Sequence, residues 1–209
     1  MSKRKLAYPS IEDVQRRVAN TSIGASTLRS QGVDAKKAKE FLWQELNLNK
    51  LKKLPKKDFK DWLDKETKLL MSEFKRKPDD KNNWGAARKV INIFLENAFY
   101  NRFLSEEYNL QRLEDILEVP LDGNVAEGLR KDWETYLKEH KMGPDLHKLP
   151  EWTTIKGLEE EDSDEFQTCA HKVARSQPNY RYRIYLDLKY WGGLRSKEMS
   201  KVASRRGDS

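Results

Sequence analysis

The segment WGAARKVINIFLENAFYNRF, residues 84–103, decides the fold because it has the pattern of a helix that is apolar on nearly every side. A helix of this kind is normally buried in the core of a protein. Lys89, Asn92 and Glu96 form a thin polar stripe along it. A buried ammonium group is costly unless it is paired or put to use. Lys89 therefore either extends along its stem to solvent or lies at the bottom of a pocket, and the two alternatives imply different functions.

The composition is that of a packed domain with a basic surface. The chain has 209 residues, enough to bury a core, and its six Trp, eight Tyr and seven Phe argue against a disordered chain. The formal net charge is +7 at pH 7. A positive charge of this size suits a polyanionic partner such as nucleic acid, although it also suits mere solubility.

Several classes of protein are excluded by what the sequence lacks. Cys169 is the single cysteine, and the three histidines are scattered, so we expect no disulfide, no metal site and no cofactor. The N-terminal stretch MSKRKLAYPS is basic but no apolar run follows it, and no segment is long and apolar enough to cross a membrane. We therefore expect a soluble, cytoplasmic protein without membrane contact.

Helical periodicity dominates the chain and the alternation typical of strands is nearly absent, which predicts an all-α fold. Ser10 and Asp122 stand where helix N-caps are expected. The small, polar segment TSIGASTLRSQG, residues 21–32, is predicted to be a loop. The predicted helices cover approximately residues 11–20, 34–46, 57–75, 84–103, 110–117, 123–139, 162–175 and 178–192.

The chain contains neither an internal repeat nor a clear domain boundary. We expect residues 1–209 to form a single compact helical domain, with residues 1–80 and 81–193 as two lobes that meet at a cleft. Residues 194–209 are basic and are expected to fray.

Lys89 and Asp122 are the candidate catalytic residues. A lysine amine becomes nucleophilic when desolvation lowers its pKa. It can then attack the anomeric carbon of a nucleotide, displace the base and leave a Schiff base on the sugar. A nearby carboxylate would stabilise the positive charge that develops, and the N-terminus of a helix favours the carboxylate anion. On spacing alone, an ordinary helix cap and a lysine that reaches solvent are the commoner interpretations.

Two strings add weight to the catalytic interpretation. GAARKVINIFLENA, residues 85–98, and EVPLDGNVAEGL, residues 118–129, resemble the helix–hairpin–helix superfamily of DNA glycosylases. In that superfamily a glycine-bearing hairpin leads into a helix that starts with a lysine, and a proline, an apolar residue and an aspartate open a later helix. The corresponding positions of this chain are Gly85, Lys89, Pro120 and Asp122.

The archaeal 8-oxoguanine glycosylase branch is the most similar branch. Its gap between lysine and aspartate is long, as it is here, and the string IYLDLKYWGG, residues 184–193, resembles a late helix of that branch. The resemblance implies that Lys89 is the Schiff-base nucleophile and that Asp122 assists the departure of the base. It covers approximately residues 80–193, and residues 1–79 cannot be aligned.

The chain also departs from the pattern of that superfamily. The hairpin has only Gly85 instead of a Gly-x-Gly arrangement, so we expect Arg88 to take over part of the contact with a DNA phosphate. The cysteines that hold an iron–sulfur cluster in some relatives are absent.

An enzyme of this class must extrude its target base from the duplex and hold it against apolar or aromatic surfaces. Trp84 could stack on an extruded base, although a core tryptophan is as good an interpretation, and the segment STLRSQG could also be an ordinary polar loop. The candidate substrate- and DNA-binding residues are Ser26, Thr27, Arg29, Gln31, Trp84, Gly85, Arg88, Asn92, Asp187 and Trp191.

The predicted function is that of a monomeric DNA glycosylase that excises a modified base from double-stranded DNA, with or without lyase activity at the abasic site. The resemblance suggests 8-oxoguanine as the target. A hypermodified base of phage DNA, such as a modified cytosine, is the other candidate and would make the protein an anti-phage defence enzyme. The alternatives are a non-catalytic helical module that binds DNA or RNA, and a helical interaction protein without a nucleic-acid partner.

Overall fold

The computed structural model describes residues 9–24, 33–74, 83–143 and 148–191, and within these ranges all regular secondary structure is helical. The α-helices are α1 (Ile11–Ser22), α2 (Ala35–Glu40), α3 (Phe59–Glu73), α4 (Trp84–Tyr100), α5 (Arg102–Tyr108), α6 (Gly123–Glu139), α7 (Glu160–Ser176) and α8 (186–191). Helix α2 continues as a π-helical turn, Phe41–Glu45, and short 3₁₀ turns occupy Leu48–Lys52, Lys56–Asp58, Leu110–Leu113, Ile155–Gly157 and Arg183–Tyr185. The predicted all-α class is confirmed.

Side-chain caps set several helix boundaries. The hydroxyl oxygen of Ser10 accepts a hydrogen bond from the backbone N–H of Asp13, as the sequence predicted. Helix α4 ends at Tyr100 rather than at residue 103 because Asn101 caps a new helix, accepting a hydrogen bond from the N–H of Leu104 at 3.2 Å. The predicted helix over 178–192 begins only at residue 183, since residues 177–182 are not helical.

The buried apolar side chains fall into two clusters. The first is built by α1 to α5 and the segment up to Leu117, and the second by α6, α7, α8 and residues 149–158. Helix α4 contributes to both, because Trp84 belongs to the second cluster and the residues from Ala87 onward to the first. Along the chain the change from the first cluster to the second falls near residue 118, although Ile184 also belongs to the first cluster. The two lobes over residues 1–80 and 81–193 stay a prediction. Residues 194–209, the expected basic tail, lie outside the described residues.

A buried ion pair joins α4 to the segment that precedes α6. Arg88 donates two parallel hydrogen bonds to the carboxylate of Glu118, from Nε at 2.8 Å and from Nη2 at 3.0 Å. Its side chain is 2% exposed and that of Glu118 is 4% exposed. Thr67 and Asp64, both on α3, complete the set of partners of the guanidinium group. The pair therefore ties three elements together in the interior.

The segment that leads to α6 is held by further side chains. The amide group of Gln167, on α7, accepts a hydrogen bond from the N–H of Val119 and donates one to its carbonyl oxygen. Arg183 donates hydrogen bonds to the carbonyl oxygens of Ile116 and Leu117. The backbone just before Asp122 is therefore fixed by side chains from two other elements.

Gly85, in the first turn of α4, allows a close approach to residues 155–158. A Cβ atom at this position would lie 2.3 Å from the carbonyl oxygen of Ile155 and 2.8 Å from the Cβ atom of Leu158. Any side chain here would push α4 away from the second cluster. Gly85 is therefore a packing residue in this structure.

We predict that replacing Arg88 by Met lowers the free energy of unfolding by about 3–5 kcal/mol, because the carboxylate of Glu118 is left buried without its partner. Arg102→Met is the matched control, since Arg102 forms an exposed pair with Glu106 and its loss is expected to cost less than about 1 kcal/mol. Denaturant titration of both variants measures the difference. Equal losses for the two variants would contradict the structural role of the Arg88–Glu118 pair.

Candidate active site

Lys89 and Asp122 lie side by side in the structure. The Nζ atom of Lys89 is 3.7 Å from Oδ2 of Asp122, and each side chain is only 14% exposed. Lys89 follows Arg88 directly, and Asp122 lies four residues beyond Glu118, so the buried ion pair places both. The alternative in which Lys89 extends into open solvent is therefore excluded.

Asp122 is held in a defined orientation by the first turn of α6. Its Oδ1 atom accepts hydrogen bonds from the backbone N–H groups of Asn124 at 2.9 Å and Val125 at 3.0 Å. This confirms the predicted N-cap. Because Oδ1 is engaged by the helix, Oδ2 is the oxygen that faces Lys89.

Asp187, on α8, is a second carboxyl group of this site. It interacts electrostatically with both Asp122 and Lys89. Burial, together with the neighbouring Asp122 carboxylate, raises the pKa of Asp187 to about 6, although Lys89 acts in the opposite direction. The structure therefore brings Asp187, a candidate binding residue, close to the Lys89–Asp122 pair.

Helix α8 is anchored to α6 through Asp132. The hydroxyl group of Tyr190 donates a hydrogen bond to Oδ2 of Asp132 at 2.9 Å, and the ammonium group of Lys189 binds the same oxygen. The ring of Tyr190 packs on Gly128, where a Cβ atom would lie 2.4 Å from the ring. The helix that carries Asp187 is thereby attached to the helix that Asp122 caps.

Glu96 is a third carboxyl group of this region and acts on Asp187. It lies seven residues, about two turns, after Lys89 on the same face of α4. It is 7% exposed, and its Oε1 atom accepts no hydrogen bond from the residues that the structure describes. Burial, together with the nearby Asp187 carboxylate, raises the pKa of Glu96 to about 9. Glu96 is therefore protonated in the folded protein at neutral pH.

Aromatic side chains border the carboxyl groups. Tyr100 is 44% exposed, and its ring is inclined by 30° to that of Tyr185, with centroids 6.4 Å apart. The hydroxyl group of Tyr185 donates a hydrogen bond to Glu114. Trp191 lies one turn after Asp187 and is also 44% exposed. Both Tyr100 and Trp191 therefore present aromatic surface to solvent near the site.

Three of the predicted DNA contacts are wrong because their side chains are buried and engaged inside the protein. Arg88 binds Glu118, and the Nδ2 atom of Asn92 donates a hydrogen bond to the same carboxylate at 2.9 Å. Trp84 is 3% exposed, and the guanidinium carbon of Arg88 lies 5.2 Å from the centroid of its ring. Burial acts to raise the pKa of Glu118, but Arg88 and the other donors outweigh it and hold the pKa below its usual value.

The predicted hairpin role of Gly85 is also wrong, because Gly85 is buried inside α4 against residues 155–158. The predicted binding residues Ser26, Thr27, Arg29 and Gln31 lie outside the described residues.

Sequence reasoning missed Glu96 and Glu118 as residues of the site. The signal for Glu96 was its seven-residue spacing from Lys89, which places both on one face of α4. Glu118 pairs with a residue 30 positions away, and no local pattern indicates such a contact. Among the described residues, no group of three or more His, Cys, Asp or Glu side chains could hold a metal ion.

No helix within the described ranges is long and apolar enough to span a membrane. No family model, curated protein or solved structure matches the chain.

We predict that the stability of the protein falls as the pH rises from about 4.5 to about 9. In this range the carboxyl group of Glu96 is ionised in the unfolded chain but retains its proton in the folded one, so ionisation favours unfolding. Glu96→Gln removes the titrating group and should reduce this loss. Unfolding curves recorded over a pH series compare the two proteins.

The matched control for this series is Glu106→Gln, because the side chain of Glu106 is 61% exposed. It should leave the pH dependence unchanged. An unchanged slope in Glu96→Gln would contradict the protonated state of Glu96.

Proposed function

We propose that this protein is a DNA glycosylase that excises a modified base from double-stranded DNA, with Lys89 as the nucleophile and Asp122 as the assisting carboxylate. The proposal is supported by the largely buried Lys89–Asp122 pair, whose Nζ and Oδ2 atoms are 3.7 Å apart. An amine and a carboxylate in this arrangement suit attack on an anomeric carbon, because the amine supplies electrons while the carboxylate stabilises positive charge on the sugar.

In the proposed reaction the ammonium group of Lys89 first transfers a proton to Asp187. The resulting amine forms a bond to the anomeric carbon while the bond to the base breaks. The base leaves with the electron pair of that bond and takes up a proton from solvent. The nitrogen of Lys89 then loses a proton to solvent. The C=N bond of the protonated Schiff base forms as the bond between the anomeric carbon and the ring oxygen breaks, and this oxygen takes up a proton from solvent. Asp187, whose pKa is raised to about 6, is suited to accept a proton from the amine.

Asp122 has the geometry of an electrostatic stabiliser. Two backbone N–H groups hold Oδ1, so the carboxylate does not need to reorganise when charge develops on the sugar. Preorganisation of this kind is usually a large contribution to the acceleration of a reaction.

Two exposed aromatic rings, one beside Glu96 and one a turn after Asp187, fit the binding of an extruded nucleotide. Tyr100 and Trp191 each expose 44% of their surface, and aromatic faces hold unstacked bases. The formal charge of +7 favours binding to the phosphate backbone. The target is 8-oxoguanine or a hypermodified base of phage DNA, such as a modified cytosine, and in the second case the function is anti-phage defence.

The test incubates the protein with a duplex that contains one 8-oxoguanine and, separately, with genomic DNA of a phage whose pyrimidines are hypermodified. Base release is scored as abasic sites, and sodium borohydride is added to trap a covalent adduct. We predict release and trapping with the wild-type protein and neither with Lys89→Gln. Lys131→Gln, at a side chain that is 69% exposed, is the control and should behave as wild type.

We predict that Asp122→Asn slows base release by about 10²–10³-fold, because it removes the stabilising charge. Asparagine is also a good N-cap, so α6 and the thermal stability should be retained. A variant that keeps wild-type rates would show that Asp122 is only a helix cap.

The alternatives give different results in the same assay. Base release without trapping, retained in Lys89→Gln, would assign the nucleophile to water. Salt-sensitive binding of duplex DNA without base release would indicate the non-catalytic DNA-binding module. Absence of binding even at low salt would indicate a helical interaction protein.

A further inference from the structure

Glu96 is a buried acid that the proposed reaction does not use. It lies two turns after Lys89 on the same face of α4, is 93% buried, and its Oε1 atom has no hydrogen-bond partner among the described residues. Buried polar atoms almost always have a partner. The Oε1 atom of Glu96 therefore has an unused hydrogen-bonding position beside Asp187, a residue of the candidate site.

The surroundings of Glu96 favour its neutral form. Asp187 acts directly on Glu96, and Asp122 and Lys89 act on Asp187. Tyr100 interacts with both carboxyl groups and also with Tyr185 and Glu114. The carboxyl groups in this set outnumber the single ammonium group of Lys89, so one more negative charge is strongly disfavoured. The pKa of Glu96, about 9, agrees with this balance.

We infer that Glu96 is a further substrate-binding residue, whose neutral carboxyl group donates a hydrogen bond to an acceptor atom of the nucleotide held at Lys89 and Asp122. The inference rests on the proposed function and deepens it. A carboxyl group that keeps its proton can donate a hydrogen bond, whereas a carboxylate can only accept one. The partner is therefore an acceptor, such as a ring nitrogen or a carbonyl oxygen of the base.

Two variants of Glu96 test whether its side chain acts as a hydrogen-bond donor or through its negative charge. Glu96→Gln keeps a donor of similar shape but cannot ionise, whereas Glu96→Leu removes the donor and keeps the volume. We expect Glu96→Gln to retain base release and Glu96→Leu to lose about tenfold, the equivalent of one neutral hydrogen bond. The substrates are the 8-oxoguanine duplex and the phage DNA described above, whichever the wild-type protein processes.

The pH profile of base release provides a readout that a purely structural role would not change. In the wild-type protein, base release should fall as the pH rises through about 9, because Glu96 then loses its proton. Glu96→Gln should not show this decrease. An independent measurement is the infrared C=O band of a protonated carboxyl group at about pH 8, which should be present in the wild-type protein and lost in Glu96→Gln.

Each contrary result overturns the inference. It fails if Glu96→Leu releases bases as fast as the wild-type protein, if Glu96→Gln is as impaired as Glu96→Leu, or if the infrared band is absent. In each of these cases the wild-type protein would still release bases from DNA. Failure of the proposed function itself is recognised separately, since the wild-type protein would then release no base from any of the DNAs.

Discussion

The buried Arg88–Glu118 ion pair joins the two hydrophobic clusters and fixes the residues that follow each partner. Lys89 comes directly after Arg88, and Asp122 comes one short segment after Glu118. Removing both charges from water is costly, and only good geometry with additional hydrogen bonds compensates for it. Here Thr67, Asp64 and Asn92 supply those bonds. A structural interaction in the interior thereby determines the geometry of the candidate active site near its surface.

The electrostatics of the site follow from an excess of carboxyl groups over ammonium groups. Asp122 and Asp187 act on Lys89, and Glu96 lies next to Asp187. Burial weakens the screening that water would provide. The pKa values of Glu96 and Asp187 are therefore raised, to about 9 and about 6, and at neutral pH only Glu96 keeps its proton. The three carboxyl groups therefore have three different environments. Backbone N–H groups hold Asp122, the pKa of Asp187 is close to neutral pH, and Glu96 is protonated.

The sequence predicts the helices well where periodicity and caps are both present. Ser10 and Asp122 are examples, because a cap acts through residues two or three positions away. The sequence predicts the Lys89–Asp122 pair only through the resemblance of two sequence segments to a glycosylase superfamily. It fails for Arg88, Asn92 and Trp84, whose burial depends on partners distant in the chain. An arginine on an apolar helix fits a phosphate contact and an internal ion pair equally well until the position of Glu118 is known.

Helix α6 carries the cap of Asp122 at one end and, through Asp132, the attachment of α8 and Asp187. Asp122 and Asp187 therefore both belong to the unit formed by α6 and α8, whereas Lys89 belongs to α4. A small rotation of this unit against α4 would keep the spacing of the two aspartates constant and change only their distance from the amine. Such a motion would widen the gap between the amine and the two carboxyl groups without disturbing the arrangement of these carboxyl groups.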